Sequence, residues 1–170
     1  MGDVPWGELI KVGVEYVKLL DSNAVQHMKQ GVAAVPKGHD HDFDGFEGWT
    51  STAKQYPLRF YAEGLGTING HEVMATDFTI GITWRYGGRL EGTGRFIRDG
   101  DAFCTVENIP LGHSWTIDAR WSDPIKLDNG LAQLYCDFTM TNERLKMHWF
   151  TWNYRIYSQG DGAAWHEKLG

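Results

Sequence analysis

The 170-residue sequence predicts a mainly β domain, an antiparallel barrel or strongly curled sheet with an N-terminal helical segment. From Leu58 onward, apolar and polar residues alternate with the period of two that is typical of strands. Short turn sequences separate these runs, and chain reversals this short join antiparallel neighbours. About seven long strands are expected in this part, and a sheet of that size usually curls to protect its edges.

The N-terminal part has the residue spacing of helices. Apolar residues recur every three or four positions over residues 5–20, where Asp3 can cap the first turn and Pro5 is favourable in it. A second helix is predicted from about residue 23 to residue 34, ending before Pro36. We expect the apolar stripes of both helices to pack against the sheet.

A single domain is predicted for residues 1–170, because a chain of this length buries a substantial core. Within it we expect a helical segment (1–36), a polar loop with a short turn or helix (37–57), the barrel (58–159) and a frayed tail (160–170). This architecture is calycin-like, and small barrels of this kind often hold one ligand. The alternative is an α+β cone with helices packed on a curved antiparallel sheet, as in small cyclases and dehydratases.

Turn residues define the expected strands. The clearest hairpin joins residues 58–67 and 72–84 through Asn69-Gly70, a pair that favours a tight two-residue turn. The run His113–Trp121 alternates cleanly, with every second residue from His113 on one face. Further turns are predicted at Gly87-Gly88, Asp99-Gly100, Asp128-Asn129-Gly130 and Asn142-Glu143.

Composition excludes several classes of partner. The net charge of -6 and the absence of a basic run argue against nucleic acid. No apolar stretch approaches the roughly 20 residues of a membrane span, so no membrane partner is expected. The N-terminus lacks the pattern of a signal peptide, which predicts a soluble, cytoplasmic protein. Cys104 and Cys136 are then expected to be reduced thiols.

The acidic loop before the strands is the sharpest local motif. Asp40, Asp42 and Asp44, followed by Gly45, match the first half of a calcium loop, but Ser51 stands where such a loop has its bidentate Glu. Two histidines of the same loop could bind zinc or iron if His113 or His148 completed the site. These histidines, His39 and His41, precede the strands, so we expect no metal and no cofactor.

The candidate catalytic residues are ionisable groups on strands, where neighbouring aromatic residues could shift their pKa values. They are His113, His148, Asp77, Asp137 and Arg155. If Asp77, Asp137 and Arg155 point inward, they line a polar cavity; if they point outward, they are surface residues. The apolar alternation opposite Asp77 favours the outward orientation. The expected ligand-binding residues are aromatic: Trp115, Trp121, Trp149, Trp152 and Tyr154.

Twenty-three aromatic residues, eight Trp, seven Tyr and eight Phe, exceed the need of one narrow core stripe. The first functional hypothesis is therefore a cofactor-independent enzyme that acts on a small apolar or aromatic molecule in the barrel. We expect a cyclase, isomerase or lyase of the kind found in natural-product biosynthesis. A non-catalytic carrier of a small hydrophobic ligand is the alternative. A protein-interaction module with exposed Trp residues is a second alternative, and a homodimer is compatible with all three.

Overall fold

A computed structural model describes residues 9–21, 24–39, 43–61, 75–110 and 112–170. Within these ranges the regular secondary structure is all β. The strands are β1 (Leu9–Asp21), β2 (Ala24–Pro36), β3 (Phe46–Glu47), β4 (Thr50–Tyr61), β5 (Ala75–Leu90), β6 (Thr93–Glu107), β7 (His113–Trp121), β8 (Ile125–Lys126), β9 (Ala132–Arg144), β10 (Met147–Gln159) and β11 (Ala164–Leu169).

These strands form one strongly curled sheet with the shape of a half-barrel. The strand order is β11-β10-β9-β7-β2-β6-β5-β3, and β1, β4 and β8 pair with β2, β5 and β9. Neighbouring strands are antiparallel except for β2 and β7, which pair in parallel between Ala24–Met28 and Trp115–Ala119. The mainly β, antiparallel prediction is therefore confirmed, with one parallel pair between strands distant in sequence.

The predicted helical segment is not confirmed, because the described residues of that segment are the strands β1 and β2. In β1 the β-branched residues Ile10, Val12 and Val14 also alternate with period two, so the same sequence fits a strand. In β2, Val32–Val35 are buried in succession. A strand covered on both faces is apolar at consecutive positions, and such a run cannot be told from a helix by periodicity.

Alternating burial places the core on the concave face. In β7 the residues His113, Trp115, Ile117, Ala119 and Trp121 are buried, while the residues between them are partly or fully exposed. The central part of β5 has the same pattern, with Phe78, Ile80, Ile82 and Trp84 inside. The period-two prediction for both strands is confirmed, and it determines which side chains can reach the interior.

Two glycine-containing pairs predicted as turns, Gly87-Gly88 and Asp99-Gly100, lie inside strands. β5 continues through Gly87-Gly88, where a side chain on Gly88 would overlap the Trp49 ring. β6 continues through Asp99-Gly100, where Asp99 has a φ of 52° and pairing with β5 shifts register. A Cβ on Gly100 would lie 3.0 Å from the Val32 carbonyl oxygen of β2. These glycines therefore allow close approach at bulges rather than chain reversal.

Other boundaries also differ from the prediction. β4 begins at Thr50, within the predicted loop, and pairs with β5 as expected, although Asn69-Gly70 lies outside the described residues. β9 continues through Asn142-Glu143, and the chain reverses at Leu145 and Lys146, which both have positive φ. The turn at 128–130 is confirmed.

The tail predicted to be frayed contains β11, which pairs with β10 from Ser158 to Asn153. Its polar composition suits an edge strand with one face in solvent. The Tyr56 ring of β4 lies against the His166 ring of β11, with centroids 3.6 Å apart. The two outer strands of the curled sheet are therefore in contact.

A second contact holds the β10–β11 turn against β5 and β6. The Gly87 N–H donates to the Gly160 carbonyl oxygen at 2.9 Å, and the Gly160 N–H donates to the Ala132 carbonyl oxygen at 2.8 Å. A Cβ on Gly160 would overlap the Arg95 carbonyl group. Because backbone packs directly on backbone here, Gly160 has no space for a side chain.

Cys104 and Cys136 are buried and form no disulfide, as predicted. Burial raises the pKa of the Cys104 thiol to about 12. In the part of the chain that the structure describes, no helix is long and apolar enough to span a membrane.

Gly160→Ala should lower the free energy of unfolding by about 1–3 kcal/mol, the usual cost of overpacking. The methyl group would push the β10–β11 turn away from Arg95. Gly45→Ala is the matched control, since its Cβ would lie 3.6 Å from a Leu90 methyl group, an ordinary contact. Urea denaturation of both variants measures the difference in the free energy of unfolding. Equal stability of the two variants would contradict the close packing of Gly160 against Arg95.

Candidate functional site

Five aromatic side chains from four strands meet on the concave face and form what we call the aromatic cluster. Trp115 of β7 contacts Phe78 at 4.6 Å, Phe60 at 5.4 Å and Phe150 at 5.6 Å between ring centroids. Phe60 lies 4.4 Å from Phe150, and Trp152 lies 5.2 Å from Phe60. The cluster therefore joins β4 and β5 to β7 and β10 across the interior of the half-barrel.

One edge of the aromatic cluster is more accessible than the rest. Trp115, Phe78 and Phe60 are buried, whereas Phe150 and Trp152 are only partly buried. Tyr154, also partly buried, follows Trp152 along β10 with ring centroids 6.3 Å apart. Burial raises the pKa of the Tyr154 hydroxyl. Access to the cluster from solvent is therefore along β10.

A buried histidine lies beside the aromatic cluster. His113 is two residues before Trp115 on the same face of β7, and its ring is 4% exposed. Asn142 of β9 is fully buried and pairs in register with both Trp115 and Phe150. The His113 Nδ1 and the Asn142 Oδ1 are 2.9 Å apart.

The hydrogen bonds of Asn142 define the state of this histidine. Its Nδ2 donates to the Ser114 carbonyl oxygen at 3.2 Å, so its Oδ1 is the acceptor that faces His113. The matching tautomer of a neutral His113 ring donates from Nδ1, and in that tautomer Nε2 is a hydrogen-bond acceptor. Among the described residues, neither His113 Nε2 nor the nearby Trp115 Nε1 has a hydrogen-bond partner.

Arg155 and Asp137 pair on the opposite, convex face. Two hydrogen bonds of 2.6 and 2.9 Å join the guanidinium to the carboxylate, and Arg155 also lies 3.8 Å from the centroid of the Tyr135 ring. The hydrogen bonds to Asp137 raise the pKa of Arg155. This bidentate pair links β9 to β10 and leaves both charges compensated.

Asp77 has a different partner on the same convex face. Arg59 of β4 donates to both carboxylate oxygens at 2.6 and 3.1 Å, and Asn108 donates at 3.3 Å. These hydrogen bonds, above all those from Arg59, hold the pKa of Asp77 below its usual range. The outward orientation of Asp77, Asp137 and Arg155 is the one that the sequence favours, and the structure confirms it.

The remaining predicted residues lie in separate places. His148 is exposed near the β9–β10 turn, with Nε2 3.0 Å from the Thr151 hydroxyl. Trp149 is also exposed and contacts the Arg144 guanidinium at 5.3 Å from the ring centroid. Trp121 is buried beside Gly100 rather than in the aromatic cluster. Ring contacts join Trp115 to Trp152 and Trp152 to Tyr154, and His113 lies beyond Trp115 at the other end of this row, whereas the other predicted site residues lie elsewhere.

Asn142 is a site residue that was not predicted, because Asn142-Glu143 has the residue types of a turn. Extending the period-two pattern of β9 from Phe138 and Met140 would have placed Asn142 on the inner face. Phe60, Phe78 and Phe150 were also not predicted as site residues. They belong to predicted strands, but the sequence does not show which strands place their inner faces together. Their assembly depends on pairing between distant strands.

The residues of the acidic loop that were considered as metal ligands are only partly described. Asp40, His41 and Asp42 lie outside the described residues. His39 packs edge-on against Phe46 with ring centroids 5.7 Å apart, while His113 and His148 have the separate environments given above. Within the described ranges, no three His, Cys, Asp or Glu side chains come together in a way that could hold a metal ion.

No protein-family model matches the sequence, and comparison with curated proteins and with solved structures finds no match. Function therefore has to be inferred from the chemistry of the described residues.

Asp77→Asn should destabilise the protein at neutral pH and lose its effect in acid. A carboxyl group with a lowered pKa in the folded state contributes stability above its ordinary pKa, and this contribution disappears as pH falls through the lowered value. Unfolding curves of the wild-type and variant proteins should therefore converge below the usual aspartate pKa.

Asp118→Asn is the matched control, because Asp118 forms no ion pair with the described residues. Parallel stability curves for the wild-type protein and Asp77→Asn over this acid range would show that the pair with Arg59 does not stabilise the fold.

Proposed function

We propose that the protein binds a small, largely apolar or aromatic molecule at the aromatic cluster and acts on it as a cofactor-independent enzyme. The supporting observation is the pair of buried, unpartnered atoms beside the cluster, the His113 Nε2 acceptor and the Trp115 Nε1 donor. Leaving such a group unpaired in the interior costs about 1–3 kcal/mol. A ligand hydroxyl or carbonyl group would remove part of that cost.

Buried water could also satisfy these atoms, so the surroundings of the pair matter. Trp49 and Trp84 likewise have buried Nε1 atoms with no partner among the described residues. Trp115 differs from them because an unpaired acceptor lies two residues away on the same strand face. A donor and an acceptor next to aromatic rings suit an apolar molecule with one polar group.

The role assigned to His113 is that of a general base. Asn142 holds the Nδ1–H, so Nε2 carries the lone pair that can accept a proton. Proton abstraction is a step common to isomerases, lyases and many cyclases. The aromatic side chains would exclude water from the reacting group and orient it.

The other candidate catalytic groups fit this role less well. Asp77 and the Asp137–Arg155 pair are engaged with partners on the convex face, and His148 is exposed. Their participation would require contact with a ligand that also reaches the concave face. The proposal therefore assigns proton transfer to His113 and ligand contact to Trp115 and Trp152.

The carrier hypothesis uses the same site without proton transfer. In that case His113 only accepts a hydrogen bond from the ligand. The interaction-module hypothesis is favoured by a separate observation: the β9–β10 turn exposes Leu145 at 70%, Met147 at 66% and Trp149 at 47%. It becomes the leading hypothesis if the aromatic cluster binds nothing.

Paired aromatic probes test binding at the cluster. 1-Naphthol should bind about 5-fold to 100-fold more tightly than 1-methylnaphthalene, because only its hydroxyl group can pair with the unsatisfied atoms. Quenching of tryptophan emission gives both affinities. Trp115→Phe keeps an aromatic ring but removes the N–H, so it should reduce the preference for 1-naphthol, whereas Trp149→Phe should not.

Absence of saturable binding by either probe would exclude both the enzyme and the carrier hypotheses. Equal affinities in the wild-type protein would exclude a role for the unpaired atoms. The melting temperature of each variant without probe shows whether it is folded.

A model substrate separates the enzyme from the carrier. 5-Nitrobenzisoxazole opens when a base removes its C3 proton and the N–O bond breaks, giving an absorbing cyanophenolate. The wild-type protein should accelerate this reaction, and His113→Gln should abolish the acceleration while His148→Gln leaves it unchanged. Saturable binding of the compound without turnover would support the carrier.

A further inference from the structure

A second site lies at the end of the sheet opposite the aromatic cluster. There, two adjoining cavities of about 350 Å³ and about 490 Å³ open between the turns of the half-barrel. Both are lined by Arg89 of β5, Arg95 of β6 and Asp161 of the β10–β11 turn. We call this site the arginine cleft. It is polar, and it shares no residue with the aromatic cluster.

The two arginines are held close together by the β5–β6 hairpin. Leu90 pairs with Thr93 and Gly88 with Phe96, so Arg89 and Arg95 are near neighbours across the hairpin. Like charges in such positions repel each other. In the described part of the chain, no carboxylate lies within ion-pair distance of either guanidinium.

Two carboxylates, Asp161 and Glu47, also line the arginine cleft, and neither forms an ion pair with Arg89 or Arg95 in the described structure. Asp161 accepts a hydrogen bond from the Ala163 N–H at 3.0 Å, which uses one of its oxygens within the turn. Glu47 pairs in register with Arg89, but the two side chains form no ion pair in the described structure. The donors of both guanidinium groups are therefore available to a ligand.

Glycines form part of the walls of the arginine cleft. The hydrogen bonds of Gly160 to Gly87 and Ala132 hold the β10–β11 turn against β5 and β9. Gly94 and Gly130 line the second cavity and have no Cβ. A ligand can thus approach the backbone closely, as in other glycine-lined sites.

We propose that the arginine cleft binds a small organic anion, with its carboxylate or phosphate group held by Arg89 and Arg95. Guanidinium groups match the geometry of both oxyanions, and a bridging anion would relieve the repulsion between the two arginines. The volume is within the range of ligand sites and leaves room for an organic part beside the anionic group. This site is independent of the function proposed for the aromatic cluster.

Glucose 6-phosphate, citrate and inorganic phosphate are the probes, with glucose as the neutral control. Isothermal titration calorimetry should detect glucose 6-phosphate or citrate, with weaker binding of inorganic phosphate and none of glucose. Arg89→Gln and Arg95→Gln should each weaken binding about tenfold or more, because each removes charge-assisted hydrogen bonds. Arg120→Gln is the matched control, since Arg120 is exposed on β7 and does not line either cavity.

Failure of both organic anions to bind would overturn the proposal, as would an equal loss of affinity in Arg120→Gln. Inorganic phosphate binding as tightly as the organic anions would overturn the assignment to an organic ligand. Melting temperatures of the three variants show that loss of binding is not loss of folding. Binding of 1-naphthol should persist in Arg89→Gln and Arg95→Gln, which keeps this test separate from that of the aromatic cluster.

Discussion

The pairing of β2 with both β6 and β7 is the constraint on which the rest of the structure depends. The N-terminal half of β2 pairs in parallel with β7, and its C-terminal half pairs with β6 near Gly100. β2 thereby joins a β4-β5-β6 unit to a β7-β9-β10-β11 unit in one sheet. The burial of Val32–Val35 follows from this central position, because neighbouring structure covers both faces of the strand.

Both candidate sites exist only because the two units are joined. In the aromatic cluster, Phe60 and Phe78 come from the first unit, while Trp115, Phe150 and Trp152 come from the second. In the arginine cleft the two arginines belong to the first unit and Asp161 to the second. The two sites lie at opposite ends of the strands and differ in character, one apolar with a buried histidine and the other lined by arginine and carboxylate side chains.

The polar side chains on the two faces of the sheet differ in whether they have hydrogen-bond or ion-pair partners. On the convex face, Asp77 and Arg59 neutralise each other, as do Asp137 and Arg155. In solvent such pairs contribute little beyond local stability. On the concave face, His113 Nε2 is buried and has no described partner. An unpaired group in a low-dielectric interior is costly to the fold, which is why His113 is the more informative residue for function.

The sequence by itself determined the strand character of the chain after Leu58 and the inner face of His113–Trp121. A strand's side chains alternate for local geometric reasons, so that pattern requires no knowledge of the partner strand. It also showed that Asp77, Asp137 and Arg155 favour the face opposite the apolar residues.

Only the tertiary structure decided that residues 9–21 and 24–36 are strands, because residues 24–36 pair with β6 and β7, which lie far along the chain. Only the tertiary structure also shows why positions 88 and 100 are glycine. The absence of a side chain allows Gly88 to pack against Trp49 and Gly100 to pack against β2, and neither residue forms a turn. The register of strand pairing places Asn142 next to His113 and Arg89 next to Arg95. Register depends on the summed fit of whole strands, a property that no local pattern of residues contains.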